Sequence, residues 1–228
     1  MLARDQVLSK MIIILTKTSM RPVLARSAGV SLALAIGAAV VPAHAAQPVV
    51  VAVDGTLCDL TKTLAAGAAS VTCLIPPGGD PHSYRLKPSD RSQIAKSDLV
   101  LHIGFGLTPS AKKLKSPGTV VAVGEVALPS YGGSDPHVWH DPANSAAMVR
   151  VISSSLAPVL PASDRAALQQ RTARAVAVLQ ALQSWEAKQF SSLPPAQRVL
   201  VTDHRTYSHL ANRFGLVEIA MLDSHTTG

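Results

Sequence analysis

The stretch Val49-Val50-Val51-Ala52-Val53 is the strongest indication of the fold of this 228-residue chain. A nearly continuous run of valines predicts a strand that is buried on both faces, as in a parallel sheet. Outward from it, residues 58–68 have helical composition. Residues 70–75 form a second predicted strand, and Pro76-Pro77-Gly78-Gly79 ends it.

The alternation of strands and helices continues along the first half of the chain. Lys87-Pro88-Ser89-Asp90 predicts the start of a helix, with Ser89 or Asp90 as its cap. Residues 99–103 and 119–123 are the third and fourth predicted strands. This order predicts βαβ units around a parallel sheet, and therefore an α/β fold.

A long helix is predicted in the second half. Asp141-Pro142 starts one helix, and Ser163 is predicted to cap a longer one that ends at Pro194-Pro195. Residues of one stripe recur every three or four positions along it: Leu168, Thr172, Val176, Leu179, Leu182, Glu186 and Phe190. At 1.5 Å per residue such a helix is roughly 40 Å long, which is about the span of two lobes.

The last part of the chain predicts two strands, at residues 198–202 and 217–222, and a helix at residues 207–214. Two strands and one helix cannot bury their own faces, so we expect this second lobe to be truncated in this sequence. The predicted architecture is two βα lobes with parallel sheets joined by a long rigid helix. Its predicted parts are an N-terminal lobe at 46–161, the connecting helix at 162–195 and the start of a C-terminal lobe at 196–228.

Charge and composition limit the classes of function that are possible. The chain is 47% hydrophobic and only 4% aromatic, with a formal net charge of +7. Residues 1–45 contain five basic residues and one acidic residue, which leaves 16 basic and 13 acidic residues and a charge of +3. Because basic residues are not interleaved with aromatic ones, we expect no nucleic-acid partner.

The N-terminal 45 residues predict a cleavable signal peptide and a periplasmic protein. Arg21 and Arg26 precede the apolar residues 28–41, and Pro42-Ala43-His44-Ala45 offers a cleavage site. Met20 is a candidate for the true start. The alternative is a membrane anchor, for which the apolar stretch is short.

Two cysteines, Cys58 and Cys73, lie 15 residues apart. In an oxidising compartment they can form a disulfide that stabilises the fold by roughly 3 kcal/mol. Two buried free thiols are an equally weighted alternative.

Three histidines stand in loop-like contexts suited to presenting an imidazole. They are His82 in Gly78-Gly79-Asp80-Pro81-His82, His137 in Ser134-Asp135-Pro136-His137, and His204 in Val201-Thr202-Asp203-His204. Ligands of open parallel sheets bind outside the carboxyl ends of the strands, where we expect these histidines to lie. Three converging neutral imidazoles would suit Zn²⁺, although a single Asp-Pro-His can simply be a turn.

Neighbouring residues complete the predicted site. His140, three residues after His137, is a possible accessory ligand, or it orients the helix that begins near Asp141. Asp80, Asp135 and Asp203 each precede a candidate ligand by one or two residues. Such carboxylates can fix the tautomer of a ligating imidazole, or they can cap the next turn.

Three ordered motifs resemble the metal-binding proteins of zinc and manganese ABC importers, the cluster A-I solute-binding family. The first motif is Gly79-Asp80-Pro81-His82-Ser83-Tyr84, followed by Lys87-Pro88-Ser89-Asp90 and Ser97-Asp98-Leu99-Val100. The second is Asp135-Pro136-His137-Val138-Trp139-His140-Asp141-Pro142, and the third is His204-Arg205-Thr206-Tyr207. The resemblance covers nearly all of residues 48–228.

The resemblance implies a monomer that binds a metal ion between two lobes and delivers it to the membrane permease of an ABC importer. It implies ligands at His82, His137 and His204, and a fourth carboxylate ligand that this sequence does not match. Manganese-selective members carry a carboxylate in the third position, so His204 favours Zn²⁺, with Mn²⁺ as the alternative.

Other functional classes have weaker support. His137-Val138-Trp139-His140 contains an H-x-x-H pair without the adjacent Glu that a zinc hydrolase needs as a general base. No nucleophile elbow is present either. We therefore expect a binding protein rather than an enzyme, and a zinc hydrolase or a metal-free scaffold on the same fold is the alternative.

Overall fold

The computed structural model describes residues 46–222. The predicted signal peptide, the alternative anchor and the candidate start at Met20 lie outside the described residues. In the described part, no helix combines the length and the apolar character that crossing a membrane requires.

Four parallel strands form the main sheet, in the order β2-β1-β3-β4. They are β1 (Val49–Ala52), β2 (Ser70–Cys73), β3 (Leu99–His102) and β4 (Thr119–Ala122). The valine run lies in an inner strand, where Val50, Val51 and Ala52 are completely buried. The predicted α/β fold with a parallel sheet is confirmed.

Six α-helices are present in residues 46–222. They are α1 (Gly55–Ala65), α2 (Pro88–Ile94), α3 (Val123–Ala127), α4 (Pro142–Val159), α5 (Arg165–Ser191) and α6 (Ser208–Phe214). One face of the main sheet packs on α1, α4 and α5 through residues such as Leu99, Ile152 and Leu168. The opposite face is covered by α2 and the segment after it, through Ile94 and Ala111.

Helix starts differ from the sequence-based expectations because other polar groups supply the caps. Helix α1 begins at Gly55, since the Asp54 carboxylate accepts a hydrogen bond from Leu57 N at 3.0 Å. Lys87, rather than Ser89 or Asp90, is the capping position of α2. Asp90 lies inside the first turn and accepts a hydrogen bond from Lys87 N at 2.8 Å.

The long helix α5 has 27 residues, and the residue before it is Asp164 rather than Ser163. Its predicted stripe is buried only in part. Leu168 and Val176 are buried against α4 and the main sheet, whereas Leu182 is exposed. The stripe is therefore interrupted at Leu182, and beyond it the Phe190 ring packs against Phe214 of α6.

The second sheet contains two parallel strands, β5 (Val199–His204) and β6 (Val217–Leu222). Helix α6 connects them. The outer face of this sheet is apolar and exposed, with Val199, Val201, Val217, Ile219 and Met221. Parallel sheets in proteins are normally covered on both faces. The exposure of this face agrees with the expectation that two strands and one helix cannot bury their own faces.

A disulfide joins Cys58 of α1 to Cys73 at the end of β2, and the two Cα atoms are 5.6 Å apart. The bond is the first of the two alternatives that the sequence left open. It ties α1 to an edge strand of the main sheet.

Candidate metal centre

His82 and His204 lie in the loop beyond a strand and at the carboxyl end of a strand, respectively, whereas His137 lies in the segment after the short helix α3. His82 follows β2, in a turn where the Asp80 carboxylate accepts a hydrogen bond from His82 N at 2.9 Å. His137 is buried at the start of a short 3₁₀ turn, Val138–His140. His204 is the last residue of β5.

The fold brings these three imidazoles together. One ring nitrogen of each histidine lies within 4.8 Å of the corresponding nitrogens of the other two. The Nε2 atoms of His82 and His137 are 2.9 Å apart. Ring centroids are separated by 4.9, 5.4 and 5.2 Å, so the three rings surround one point. Positions separated by 122 residues of sequence thus form a single cluster.

Asp135 sets the orientation of the His137 ring. Its Oδ1 accepts hydrogen bonds from His137 Nδ1 at 2.7 Å and from His137 N at 3.0 Å. Burial acts to raise the pKa of Asp135, but the hydrogen bonds from His137 outweigh it and lower that pKa to about 2. Because Nδ1 carries the proton toward this carboxylate, the lone pair of His137 Nε2 faces the cluster.

His204 shows the same arrangement in a more exposed setting. Its Nδ1 donates a hydrogen bond to Asp203 Oδ1 at 3.0 Å. Its Nε2 is buried and has no hydrogen-bond partner in residues 46–222. A buried acceptor without a partner is costly unless something else satisfies it. A cation bound by the lone pair would satisfy it, so the donor set fits a metal ion.

The third predicted carboxylate, Asp80, lies beside His82. The Asp80 carboxylate holds the backbone of His82 through the hydrogen bond from His82 N, and it also interacts electrostatically with the His82 side chain. Burial tends to raise the pKa of Asp80, but the N–H of His82 and the hydroxyl of Ser83 lower it overall. Asp80 therefore shapes the turn that presents His82.

Two further histidines lie beside the cluster. The ring of His140 packs 4.2 Å from the ring of Tyr207, and His140 does not belong to the three-nitrogen group. Burial lowers the pKa of His140 to about 4, and the neighbouring His137 contributes. His209 donates from Nε2 to Asp135 O at 3.0 Å, and its Nδ1 faces the Asn144 amide at 3.3 Å. Both residues therefore have structural partners, and the geometry gives His140 no support as an accessory ligand.

Residues that the sequence analysis did not single out hold the second sheet against the first. The amide of Ser208, at the start of α6, donates to Asp135 Oδ2 at 3.1 Å. Arg213 of α6 forms an ion pair with Asp141, the cap of α4, at 2.7 Å. The Tyr131 hydroxyl donates to Asp135 O and accepts from Asp135 N, both at 3.1 Å.

Glu218 organises the segment that follows His204. Its Oε1 accepts hydrogen bonds from Thr206 N and Tyr207 N, both at 2.8 Å, and its Oε2 accepts from Ser208 Oγ at 2.8 Å. Burial acts to raise the pKa of Glu218, but these hydrogen bonds lower it overall. A lone carboxylate in an apolar strand was the available sequence signal for this role.

Comparison with known proteins agrees with this geometry. Residues 50–227 match the family described as the periplasmic component A of the zinc-uptake complex. The chain belongs to this family. Its members are solute-binding proteins for metal uptake rather than enzymes, as the sequence resemblance implied.

Several relatives match the family region. Zinc-binding protein TroA of Treponema pallidum is 31% identical over 179 residues, which are 74% of this chain and 58% of TroA. Manganese-binding lipoprotein MntA of Halalkalibacterium halodurans is 32% identical over 180 residues, which are 75% of this chain and 59% of MntA. The chain thus spans less than two thirds of the length of these relatives.

A solved structure of periplasmic zinc-binding TroA from Treponema pallidum superimposes with a TM-score of 0.72 at 27% identity. The match covers 79% of this chain and 70% of TroA. The Fe(III)-bound YtgA structure from Chlamydia trachomatis gives a TM-score of 0.67 at 26% identity, over 73% of this chain and 62% of YtgA. The family fold therefore extends over most of the described residues.

Proposed function

We propose that this chain captures a divalent metal ion outside the cytoplasm through His82, His137 and His204 and delivers it to an ABC importer. The observation that supports the proposal is the convergence of three imidazole nitrogens within 4.8 Å. Family membership supports the transport role, since the matched family is a component of a zinc-uptake complex.

Zn²⁺ is the proposed ion. Three nitrogen donors form a borderline-soft set, which suits zinc better than the oxygen-rich sets that manganese prefers. The relatives differ among themselves, because their names specify zinc for TroA, manganese for MntA and iron for YfeA of Yersinia pestis. Mn²⁺ is therefore the alternative ion to test.

The three histidines would occupy three positions of a tetrahedral ion, which leaves one position for water or a carboxylate. Asp135 and Asp203 would support the ligands by holding Nδ1–H and directing Nε2 toward the ion. The chain would act as a periplasmic monomer, exported through residues 1–45, with the membrane permease of the importer as its partner.

Calorimetric titration with zinc tests this proposal. His82→Ala and His204→Ala should each weaken zinc binding by orders of magnitude and leave the circular dichroism spectrum unchanged. His102→Ala is the matched control, since His102 is a half-buried histidine at the end of β3 that lies outside the cluster. Unchanged affinity in both cluster variants would refute the site.

The choice of metal needs a second titration. Competition between zinc and manganese for the wild-type protein should favour zinc strongly. Equal affinities, or a preference for manganese, would overturn the proposal of Zn²⁺ while leaving the site itself in place.

A further inference from the structure

Basic residues are concentrated in one short part of the chain. Of the 16 lysines and arginines in residues 46–222, seven lie between residues 85 and 115. We call these seven the basic patch: Arg85, Lys87, Arg91, Lys96, Lys112, Lys113 and Lys115. All seven side chains are exposed. Because the rest of residues 46–222 carries nine basic and ten acidic residues, the positive charge of the protein is local.

The fold brings part of the basic patch together on one side of the main sheet. Helix α2 and the segment that contains Ser110 and Leu114 cover the same sheet face. Ser116 Oγ donates a hydrogen bond to Ile94 O at the end of α2 at 3.0 Å, and Ser110 Oγ donates to Tyr84 O, just before α2, at 2.7 Å. Arg91, Lys113 and Lys115 line one surface depression between these two segments. Cations distant in sequence are therefore neighbours on the surface.

The acidic residues of the same segment offset only part of the charge of the patch. Its two acidic residues are Asp90 and Asp98. Asp90 is buried and accepts hydrogen bonds from Tyr84 Oη and Lys87 N. Asp98 accepts a hydrogen bond from Val49 N at 2.8 Å. Among the ion pairs found in residues 46–222, none includes a residue of the basic patch.

The type of cation indicates the type of partner. Five of the seven lysines in residues 46–222 lie in the basic patch, whereas seven of the nine arginines lie elsewhere. Lysine is a hydrated point charge on a flexible stem, and it is depleted at protein–protein interfaces, where arginine is enriched. A lysine-rich surface suits a diffuse negative field, and such a field is what a bilayer with anionic lipids presents.

The segment that carries the basic patch offers little aromatic surface on which nucleic-acid bases could stack. The one aromatic residue between 85 and 115 is Phe105, and its ring packs edge-on against Tyr131 at 5.3 Å. Single-stranded nucleic acid binding normally uses exposed aromatic rings beside the cations. The chemistry of the patch therefore favours phospholipid headgroups over nucleic acid.

We propose that the basic patch holds this protein against a bilayer that carries anionic phospholipid headgroups. The interaction is electrostatic and does not involve the histidine cluster. It would restrict the protein to the membrane surface, where a partner in the bilayer can be found by two-dimensional diffusion.

The test is flotation of the full chain with vesicles of phosphatidylcholine alone or with 30% phosphatidylglycerol, without added metal. One variant changes Lys112, Lys113 and Lys115 to Gln. At about 1 kcal/mol per basic residue near an anionic surface, it should bind the anionic vesicles about 100-fold more weakly than wild type. Binding of the wild type should also fall steeply between 20 and 500 mM salt.

The matched control changes Arg165, Arg174 and Lys188 of α5 to Gln. It removes the same charge from exposed positions outside the basic patch. This control should keep most of the wild-type binding to the anionic vesicles. Residues 1–45 are present in every variant, so their own membrane affinity cancels in the comparison.

Equal losses in the two variants would overturn the proposal, because they would show a response to net charge alone. A wild-type protein that binds neutral and anionic vesicles equally would also overturn it. If soluble poly-glutamate displaces the protein from the vesicles at an equal concentration of negative charge, the patch would instead be assigned to an acidic protein partner. Because no metal is added, none of these results depends on the proposed zinc site.

Discussion

Asp135 and Ser208 are 73 residues apart in the sequence, yet the Ser208 amide donates to Asp135 Oδ2 at 3.1 Å. The other oxygen of the same carboxylate holds His137. One buried side chain therefore orients a candidate ligand of the first sheet and anchors the helix that follows His204 in the second. The geometry of the cluster depends on this single group.

Asp135→Asn should weaken zinc binding by about 10- to 100-fold, the usual effect of changing a partner of a metal-binding histidine. The amide keeps the shape of the side chain but loses the charge that favours the Nδ1–H tautomer of His137. Competition with a chromogenic chelator measures the affinity. The control is Asp203→Asn, which should have a smaller effect because Asp203 is largely exposed. An equal or larger loss in the control would contradict this account of Asp135.

Glu218→Ala should weaken zinc binding, because the amides of Thr206 and Tyr207 would lose the acceptor that shapes the segment after His204. Glu218→Gln keeps one acceptor oxygen and should recover most of the affinity. The cobalt-substituted protein gives a second measurement, since its visible spectrum reports the number of ligands. If the Ala and Gln variants bind zinc as tightly as wild type, Glu218 does not position His204.

Asp54 should make the stability of the protein depend on pH. It is 5% exposed, and burial raises its pKa from 3.8 to about 6. Between these values the folded protein keeps a proton that the unfolded chain releases, so the contribution of this group to stability falls as the pH rises. The full effect is about 3 kcal/mol at 1.36 kcal/mol per pKa unit.

Urea denaturation of wild type and Asp54→Asn at pH 4.5 and pH 7.5 measures this effect. The variant should gain stability relative to wild type at the higher pH, since an amide can accept the bond from Leu57 N without carrying a charge. Asp59→Asn, at an exposed position of the same helix, should show no such gain. A difference between wild type and Asp54→Asn that is the same at both pH values would contradict the prediction.

The disulfide should stabilise the fold without affecting the metal site. Replacing Cys58 and Cys73 together by Ser should lower the free energy of unfolding by roughly 3 kcal/mol. Zinc affinity should stay within a factor of two, because neither sulfur belongs to the histidine cluster. Labelling of both thiols in the unreduced, denatured wild type would show that the bond is absent in solution.

The strands and the three histidine contexts could be predicted from the sequence because each has a local signal. A run such as Val49–Ala52 is apolar enough to identify an inner strand by itself. The motifs around His82 and His204 predicted positions at the carboxyl ends of β2 and β5 through the rule for parallel sheets.

The predictions that were wrong, and the roles that were missed, depend on competing polar groups nearby or on contacts between residues distant in sequence. Lys87 is the capping position of α2 because the carboxylate of Asp90 accepts a hydrogen bond from the Lys87 backbone N–H. The stripe of α5 was predicted as continuous, but the side chain of Leu182 is 39% exposed. The roles of Tyr131 and Glu218 depend on partners that only the fold brings near, so a local pattern such as the lone carboxylate of Glu218 in an apolar strand could not identify these partners.

Zinc K-edge X-ray absorption of the protein with one equivalent of zinc is the most direct measurement of the proposed site. Three imidazole nitrogens at about 2.0–2.1 Å from the ion are predicted, with one oxygen ligand in the remaining position. His204→Ala should reduce the imidazole count from three to two. A wild-type spectrum with no more than one imidazole, or with oxygen ligands alone, would contradict the account.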